Sequence, residues 1–397
     1  MSVRADKLMQ GFPPEAAGRV THENWTSPPY LRWGFLHTRE IVSTARIGRG
    51  DGPVLALPAD PYDVEPITFA TPDGSSTVGE MLDESFTDGF LVLHEGRVRY
   101  EYYGEGMTPG TTHLLQSVSK SITGTVAGIL IGDGRLSLET PVTDVIPELA
   151  GSSFEGATVR HVLDMRTGTR FNETYSDPDS DVRISEEVAG WRPPREGLEI
   201  RNIYEQIASL GNARPHGEVF EYRSILTDLL GWMLERASGV RLPDLISSEL
   251  WSKIGAEHDA EITIHEGITL PDGGICVTLR DLARFAHLHL RAGELEGRRI
   301  VPEAWVMDTR HPDAEAVEAY NRSEDAGGGW SYRNQWWVLD PEQGVATGLG
   351  IHGQFAYVNP QAGVVCVKLS TWPDSLDQAK QDATLAACAA ISAELAS

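Results

Sequence analysis

The sequence predicts an α+β fold: an antiparallel sheet flanked by helices, built from both ends of the chain, with an all-helical lobe inserted between them. Strand-like runs near residue 90, further strand-like runs after residue 329, and helical periodicity over most of the intervening chain carry this expectation. The expected division is an α/β lobe of residues 1–113 and 280–397 and a mainly helical lobe of residues 114–279.

Residues 1 to about 75 are rich in Pro, Gly and Asp with little periodicity, as in an extended segment that wraps a core. From Phe90 to Tyr103, two β-rich runs lie either side of Glu95-Gly96, a hairpin signature. Residues 118–131 read as a helix. Ile122, Val126, Ile129 and Leu130 are its larger apolar positions, and Gly124, Ala127 and Gly128 would admit close neighbours, so the helix is expected to be buried. Asp133-Gly134 closes it. Helical patterns follow over 159–165, 201–210, 225–237 with Ser238-Gly239 as the stop, and 278–290. Strands are expected over 335–339, 356–358 and 364–369, with a turn at Asn359-Pro360-Gln361-Ala362-Gly363, and a last helix over 376–395.

The formal net charge of -25 gives a field that repels phosphate backbones and anionic membranes and mildly favours amine-bearing ligands. Nucleic acid is therefore not an expected partner. Cys276, Cys366 and Cys388 are widely spaced without a Cys-x-x-Cys pair, so they suggest neither a disulfide framework nor a zinc site. The stretch from Met1 to Pro13 has no apolar core of a signal peptide, and no run approaches a membrane span, so a reducing cytoplasm is the expected compartment. A Gly-x-Ser-x-Gly elbow, a P-loop and a His-Glu-x-x-His helix are all absent. Asp177-Pro-Asp-Ser-Asp181 fails as a calcium loop, because Val182 and Val188 stand where Gly and Glu are needed; a solvated turn is expected there.

Ser117-Val-Ser-Lys120 opens the buried helix, so two reactive side chains sit three residues apart on one face. The Ser117 hydroxyl also lies at the positive end of the helix dipole. A lysine with an ordinary pKa of about 10.4 is a poor base, but burial disfavours its charged form, and Lys120 is expected to be lowered accordingly. Serine beside a desolvated lysine is a workable nucleophile and base. The motif alone is weak, since an N-capping serine followed by a surface lysine would look the same. The unusually apolar helix behind it favours chemistry.

Ser117-x-x-Lys120, then Gly134-Arg-Leu-Ser-Leu-Glu-Thr-Pro-Val142, then Thr158-Val-Arg-His-Val-Leu-Asp-Met165 with Thr167-Gly168 resemble the serine β-lactamase and D-Ala-D-Ala peptidase superfamily, class C branch. Tyr222-Arg-Ser224 matches that branch's Tyr-x-Asn motif in part. His113-Leu-Leu-Gln-Ser-Val-Ser-Lys-Ser121, Ala189-Gly-Trp191, Gln335-Trp-Trp337 and Gly350-Ile-His-Gly-Gln354 are similar to the nylon-oligomer hydrolase group within it. The likeness runs from about His22 to Asp374.

The resemblance implies a β-lactamase/transpeptidase-like fold and a Ser117 acyl-enzyme cleaving linear amides of the 6-aminohexanoate-oligomer type, with short esters as further substrates. It places the phenol of Tyr222 beside Ser117 and Lys120 as a proton relay. Neutral tyrosine next to a lysine ammonium makes a coupled set, so the base is not assigned to one of them. The resemblance supplies the backbone N–H groups of Ser117 and Ile351 as oxyanion donors, the latter on a strand edge where Gly348 and Gly350 permit close approach. Tyr175, Glu186, Trp191 and Asp272 fall at substrate positions: Tyr175 at the scissile amide, Glu186 where an acidic group receives the substrate's amine. Where the superfamily carries Lys-Thr-Gly, this chain has Gly348-Leu349-Gly350. The missing lysine, which engages a substrate carboxylate, counts against β-lactams and peptidoglycan. A small amide or ester is the only partner implied beyond a homodimer, and no cofactor or metal is needed. The alternatives are a carboxylesterase with little amidase activity and a catalytically silent binding protein on the same scaffold.

Overall fold

The computed structural model describes residues 8–397; the part of the expected wrapping segment that falls on residues 1–7 lies outside them. The wrapping segment is less extended than its composition suggests. It carries the short helix Leu31–Leu36, the strand Thr44–Ile47 and a hairpin of Thr68–Thr71 with Gly74–Thr77. Trp25, Phe35, Ile47 and Val64 are its fully buried anchors.

Thr87–His94 and Arg97–Tyr103 pair antiparallel, with His94 opposite Arg97. Glu95 and Gly96 both take positive φ, 49° and 76°, the two-residue turn whose twist matches that of its strands. Side chains alternate along the first strand: Leu91 and Leu93 enter the main core, Phe90 and Val92 a second core on the other face. The strand is buried on both sides because the sheet is covered on both sides.

Seven strands form that sheet, in the order Ser331–Arg333, Trp336–Asp340, Val345–Gly350, Gln354–Asn359, Val364–Ser370, Thr87–His94, Arg97–Tyr103. The final helix Gln378–Leu395 packs on one face with the Thr68–Thr77 hairpin, and Leu279–Leu290 with the buried helix Val118–Gly132 pack on the other. Cys366 and Cys388, far apart in sequence, meet in the second core. Every residue of the buried helix from Val118 to Leu130 is buried. A Cβ on Gly128 would lie 2.4 Å from the Trp305 ring, so this helix and its neighbour touch only because a side chain is missing.

Several elements depart from expectation. Gln335, expected in a strand, sits in a turn: Asn334 and Gln335 take φ of 53° and 69° between Ser331–Arg333 and Trp336–Asp340. Their buried side chains hold this conformation, Gln335 through the Leu163 carbonyl at 2.9 Å and Thr227 Oγ1 at 2.6 Å, Asn334 through Asp308 and Thr309. The expected turn at 177–181 ends at Ser180, the N-cap position of the unanticipated helix Asp181–Val188. A second sheet, in the order Thr44–Ile47, Ala260–His265, Ile275–Thr278, Thr112–Leu114, was not anticipated either. Its strands are short and pair residues as distant as Thr44 and Thr263, so no local pattern announces them. Among the described residues no helix is long and apolar enough to cross a membrane.

Candidate active site

The second sheet sets the reactive end of the buried helix. Leu114 pairs with Cys276, and the Leu115 N–H donates to the Ile275 carbonyl at 2.9 Å. Gln116 then turns through a left-handed φ of 48°, and Ser117 stands at the N-cap. The loop preceding strand Ile275–Thr278 brings Asp272 to the same place. The helix Ile225–Ser238 also ends here, with Ser224 at its N-cap position and Tyr222 just before it.

Lys120 Nζ donates to Ser117 Oγ at 2.9 Å and to the Asp272 carbonyl at 2.8 Å, and lies 3.7 Å from Asp272 Oδ2. Lys120 is 1% exposed, and its amine sits 5.2 Å from the centre of the Tyr222 ring. Burial is thus as expected, but its consequence is not. Desolvation pulls the Lys120 pKa down, yet the negative charges that Tyr222, Asp272, Glu173 and Asp228 can present reverse it, and the net direction is upward from 10.5. Lys120 rests as an ammonium. The Tyr222 phenol is also raised, by burial, against the opposing pull of Lys120 and Ser117. The resting pair is therefore ammonium and neutral phenol.

Ser117, Ile351, Tyr175, Glu186, Trp191 and Asp272 line one cleft, with Ser224 and Gln116. The N–H groups of Ser117 and Ile351 donate to no other turn, loop or side-chain acceptor among the described residues. Each has a residue beside it held at positive φ, Gln116 at 48° and His352 at 60°, and His352 is pinned by its Nδ1 contact of 2.6 Å to the Trp372 carbonyl. Strain of this kind persists where the surroundings enforce it. The Val345–Gly350 strand is not an edge of the sheet but its third strand. Its neighbour Trp336–Asp340 pairs only as far as Thr347, so Gly348–Gly350 overhang and an edge exists locally. A Cβ on Gly350 would lie 2.7 Å from the Leu115 carbonyl, which explains the glycine.

Tyr175 donates its hydroxyl to Glu173 Oε1 at 2.7 Å, leaving the phenol oxygen free to accept an amide N–H. Glu173 is a site residue the sequence reading missed. It is half-buried, with its pKa raised by desolvation, and it also accepts from the Ser224 N–H at 2.9 Å and from the Ser224 hydroxyl, tying Tyr175 to the turn that carries Tyr222. Its position two residues before Tyr175 was the only available signal. Trp191 is buried, its indole donating to Thr263 Oγ1 at 3.0 Å. Glu186 lines the same cleft. Its carboxylate accepts from Arg183 at 2.8 and 2.7 Å and from Arg192 Nε, so two guanidiniums already surround it and the local sum of charge is positive.

The chain matches the family model described as Beta-lactamase over residues 83–391. This chain belongs to the β-lactamase family. Its members are serine hydrolases of the β-lactamase fold, and the protein is a hydrolase of that kind. It is 39% identical over 368 residues to the 6-aminohexanoate-dimer hydrolase of Paenarthrobacter ureafaciens, covering 91% of each chain. A solved Bacillus anthracis structure, provisionally named as a 6-aminohexanoate-dimer hydrolase, superposes with a TM-score of 0.86 at 28% identity, covering 95% of this chain and 97% of that one. The fold alone is shared with EstCE1, a hydrolase with promiscuous acyltransferase activity, at 17% identity and a TM-score of 0.61 over 79% of this chain and 96% of that one.

Proposed function

We propose that this β-lactamase-family hydrolase cleaves short linear amides of the 6-aminohexanoate-oligomer type through an acyl-enzyme on Ser117. The observation that carries the reading is the 2.9 Å bond between Lys120 Nζ and Ser117 Oγ, in a chain so similar to a hydrolase named for that dimer. Once the coupled Lys120 and Tyr222 set has released one proton to solvent, Ser117 Oγ attacks the carbonyl carbon as its own proton takes the vacated place in that set. The oxyanion is received by the N–H groups of Ser117 and Ile351, each worth about 3 kcal/mol in enzymes of this type. The C–N bond then breaks as the leaving nitrogen takes a proton back from that set, and water repeats the sequence to free Ser117. Tyr175 accepts the scissile N–H, and Trp191 and Asp272 shape the cleft.

Short esters pass through the same tetrahedral intermediate, so esterase activity accompanies the amidase activity in this reading. A cytoplasmic site of action suits three buried free cysteines, and the homodimer implied by resemblance is checked by sedimentation. The deciding experiment is a panel of 6-aminohexanoate dimer, a short p-nitrophenyl ester and a penicillin against the purified protein and Ser117→Ala. Turnover of dimer and ester, but not of the penicillin, is expected, with all of it lost in the variant. Ester turnover without dimer cleavage would convert the reading to a carboxylesterase, and failure to hydrolyse either would refute it.

A further inference from the structure

Of the run Gly350-Ile351-His352-Gly353-Gln354, only the Ile351 N–H enters the proposed chemistry. His352 and Gln354 are buried where Val345–Gly350 turns into Gln354–Asn359, and neither lines the cleft. What they hold is the backbone around Ile351. The Gly350 carbonyl accepts the Gly353 N–H at 3.2 Å, and in a trans peptide the N–H of Ile351 points the opposite way. The next peptide is gripped at both ends: the Ile351 carbonyl accepts from Gln354 Nε2 at 3.2 Å, and the His352 N–H donates to the Ser375 carbonyl at 3.0 Å. Gln354 is itself anchored, its Nε2 donating to the Ser370 carbonyl at 2.7 Å and its Oε1 accepting the Ser370 N–H at 3.1 Å. His352 engages Trp372 twice: its Nδ1 lies 2.6 Å from the Trp372 carbonyl, and its own carbonyl accepts the Trp372 N–H at 3.1 Å. A carbonyl cannot donate, so Nδ1 carries the imidazole proton.

We propose that His352 and Gln354 are positioning residues, which lock the turn after Gly350 onto the Ser370–Ser375 segment and so aim the Ile351 N–H at the oxyanion. The turn needs such a lock. His352 takes φ of 60° and Gly353 of 92°, and a side chain in the left-handed region strains the backbone. Freed of its bonds to Trp372, the turn would relax and carry the Ile351 peptide with it. Packing closes the same joint: a Cβ on Gly353 would lie 2.4 Å from the Trp372 ring, and Phe35 meets the His352 ring edge-on at 5.5 Å. An oxyanion donor is effective only if it already points at the developing charge and need not turn during the reaction. The inference rests on the acyl-enzyme reading, in which Ile351 supplies that donor.

The test compares His352→Leu with His352→Asn. Asparagine tolerates left-handed backbone, and its Nδ2 stands where the imidazole Nδ1 stood, so it keeps the donor to the Trp372 carbonyl; leucine, of similar size, has none. The readouts are kcat and KM on a short p-nitrophenyl ester and the inhibition constant of an alkylboronic acid, whose boron takes Ser117 Oγ to form a tetrahedral anion like the intermediate. His352→Leu is expected to lower kcat/KM by about 10- to 100-fold and to weaken the boronic acid by a similar factor, part of the loss that follows removal of a whole oxyanion donor. His352→Asn should stay within about threefold of wild type on both. Equal losses in the two variants would overturn the inference, as would a drop in thermal stability of His352→Leu with both constants unmoved. Should His352→Leu fail to fold, Gln354→Met, which keeps the side-chain length but gives up the amide, must show the paired loss. A wild type that neither turns over ester or dimer nor binds the boronic acid would instead refute the acyl-enzyme reading, and the inference with it.

Discussion

Among the described residues two lysines are sealed inside the protein, and each donates to a serine hydroxyl: Lys120 to Ser117, and Lys368 to Ser370. Their charge states differ. Lys368 lies in the central sheet between the rings of Phe355 and Trp372, at 6.0 and 5.4 Å. Desolvation lowers its pKa to about 7, opposed by Asp88, whose own oxygens are engaged by Arg32 at 2.6 Å and Thr371 at 2.8 Å. Lys120 is as deeply buried, yet Tyr222, Asp272, Glu173 and Asp228 lift it. Burial alone would make Lys368 the better base. What distinguishes Lys120 is that its serine opens into a cleft beside unused N–H groups, and that its ammonium belongs to a set of titrating groups able to pass a proton on.

The largest effect that tests this contrast is on the serines. Ser117→Ala is expected to lower kcat by about 10⁴-fold or more with the fold intact, whereas Ser370→Ala should leave turnover near wild type; steady-state kinetics on ester and dimer, with circular dichroism, compare them. Next are the lysines. Lys120→Ala should cost about 10³-fold in kcat/KM, while Lys368→Met should act on stability. With a folded-state pKa of about 7 against an ordinary 10.5, the unfolded chain holds a proton between those values that the folded chain has lost. Wild-type stability should therefore climb as pH rises through that window, by at most about 1.4 kcal/mol per unit, and the climb should vanish in Lys368→Met. Denaturant melts at several pH values measure it.

Tyr222→Phe should reduce kcat by about 10²-fold, the scale of one general acid–base group, with a Ser117 adduct still detectable by mass spectrometry. Loss of the adduct altogether would mean that the phenol, and not the set it shares with Lys120, is the indispensable base. The smallest effect is expected at Glu186. Because Arg183 and Arg192 already surround its carboxylate, Glu186→Gln should change the KM ratio of amine-terminated to N-acetylated substrate by less than about threefold; a larger rise for the amine substrate would identify Glu186 as its receptor.

Much of the scaffold was legible because its signals are local. The hairpin at Glu95-Gly96 needs only turn chemistry and alternation, and the helix stop at Gly239, with φ of 71°, needs only a residue that tolerates left-handed backbone. The Asn334-Gln335 turn was not legible. Two non-glycine residues hold positive φ there through contacts to Leu163, Thr227 and Asp308, each remote in sequence. The Ser331–Arg333 strand was missed with it, as were the helices Glu303–Arg310 and Ala314–Asn321.

The order of residues alone determined that Ser117 and Lys120 share a helix face, since 3.6 residues per turn leaves no other arrangement, and matched motifs carried Tyr222 and Ile351 into the same account. Tertiary structure alone decided the charge on Lys120, because a pKa depends on every group within a few ångströms, and Glu173, Asp228 and Asp272 arrive there from separate elements. It also decided that the Glu186 carboxylate is already claimed: an acidic residue's sequence position says nothing about which guanidiniums the fold will set against it.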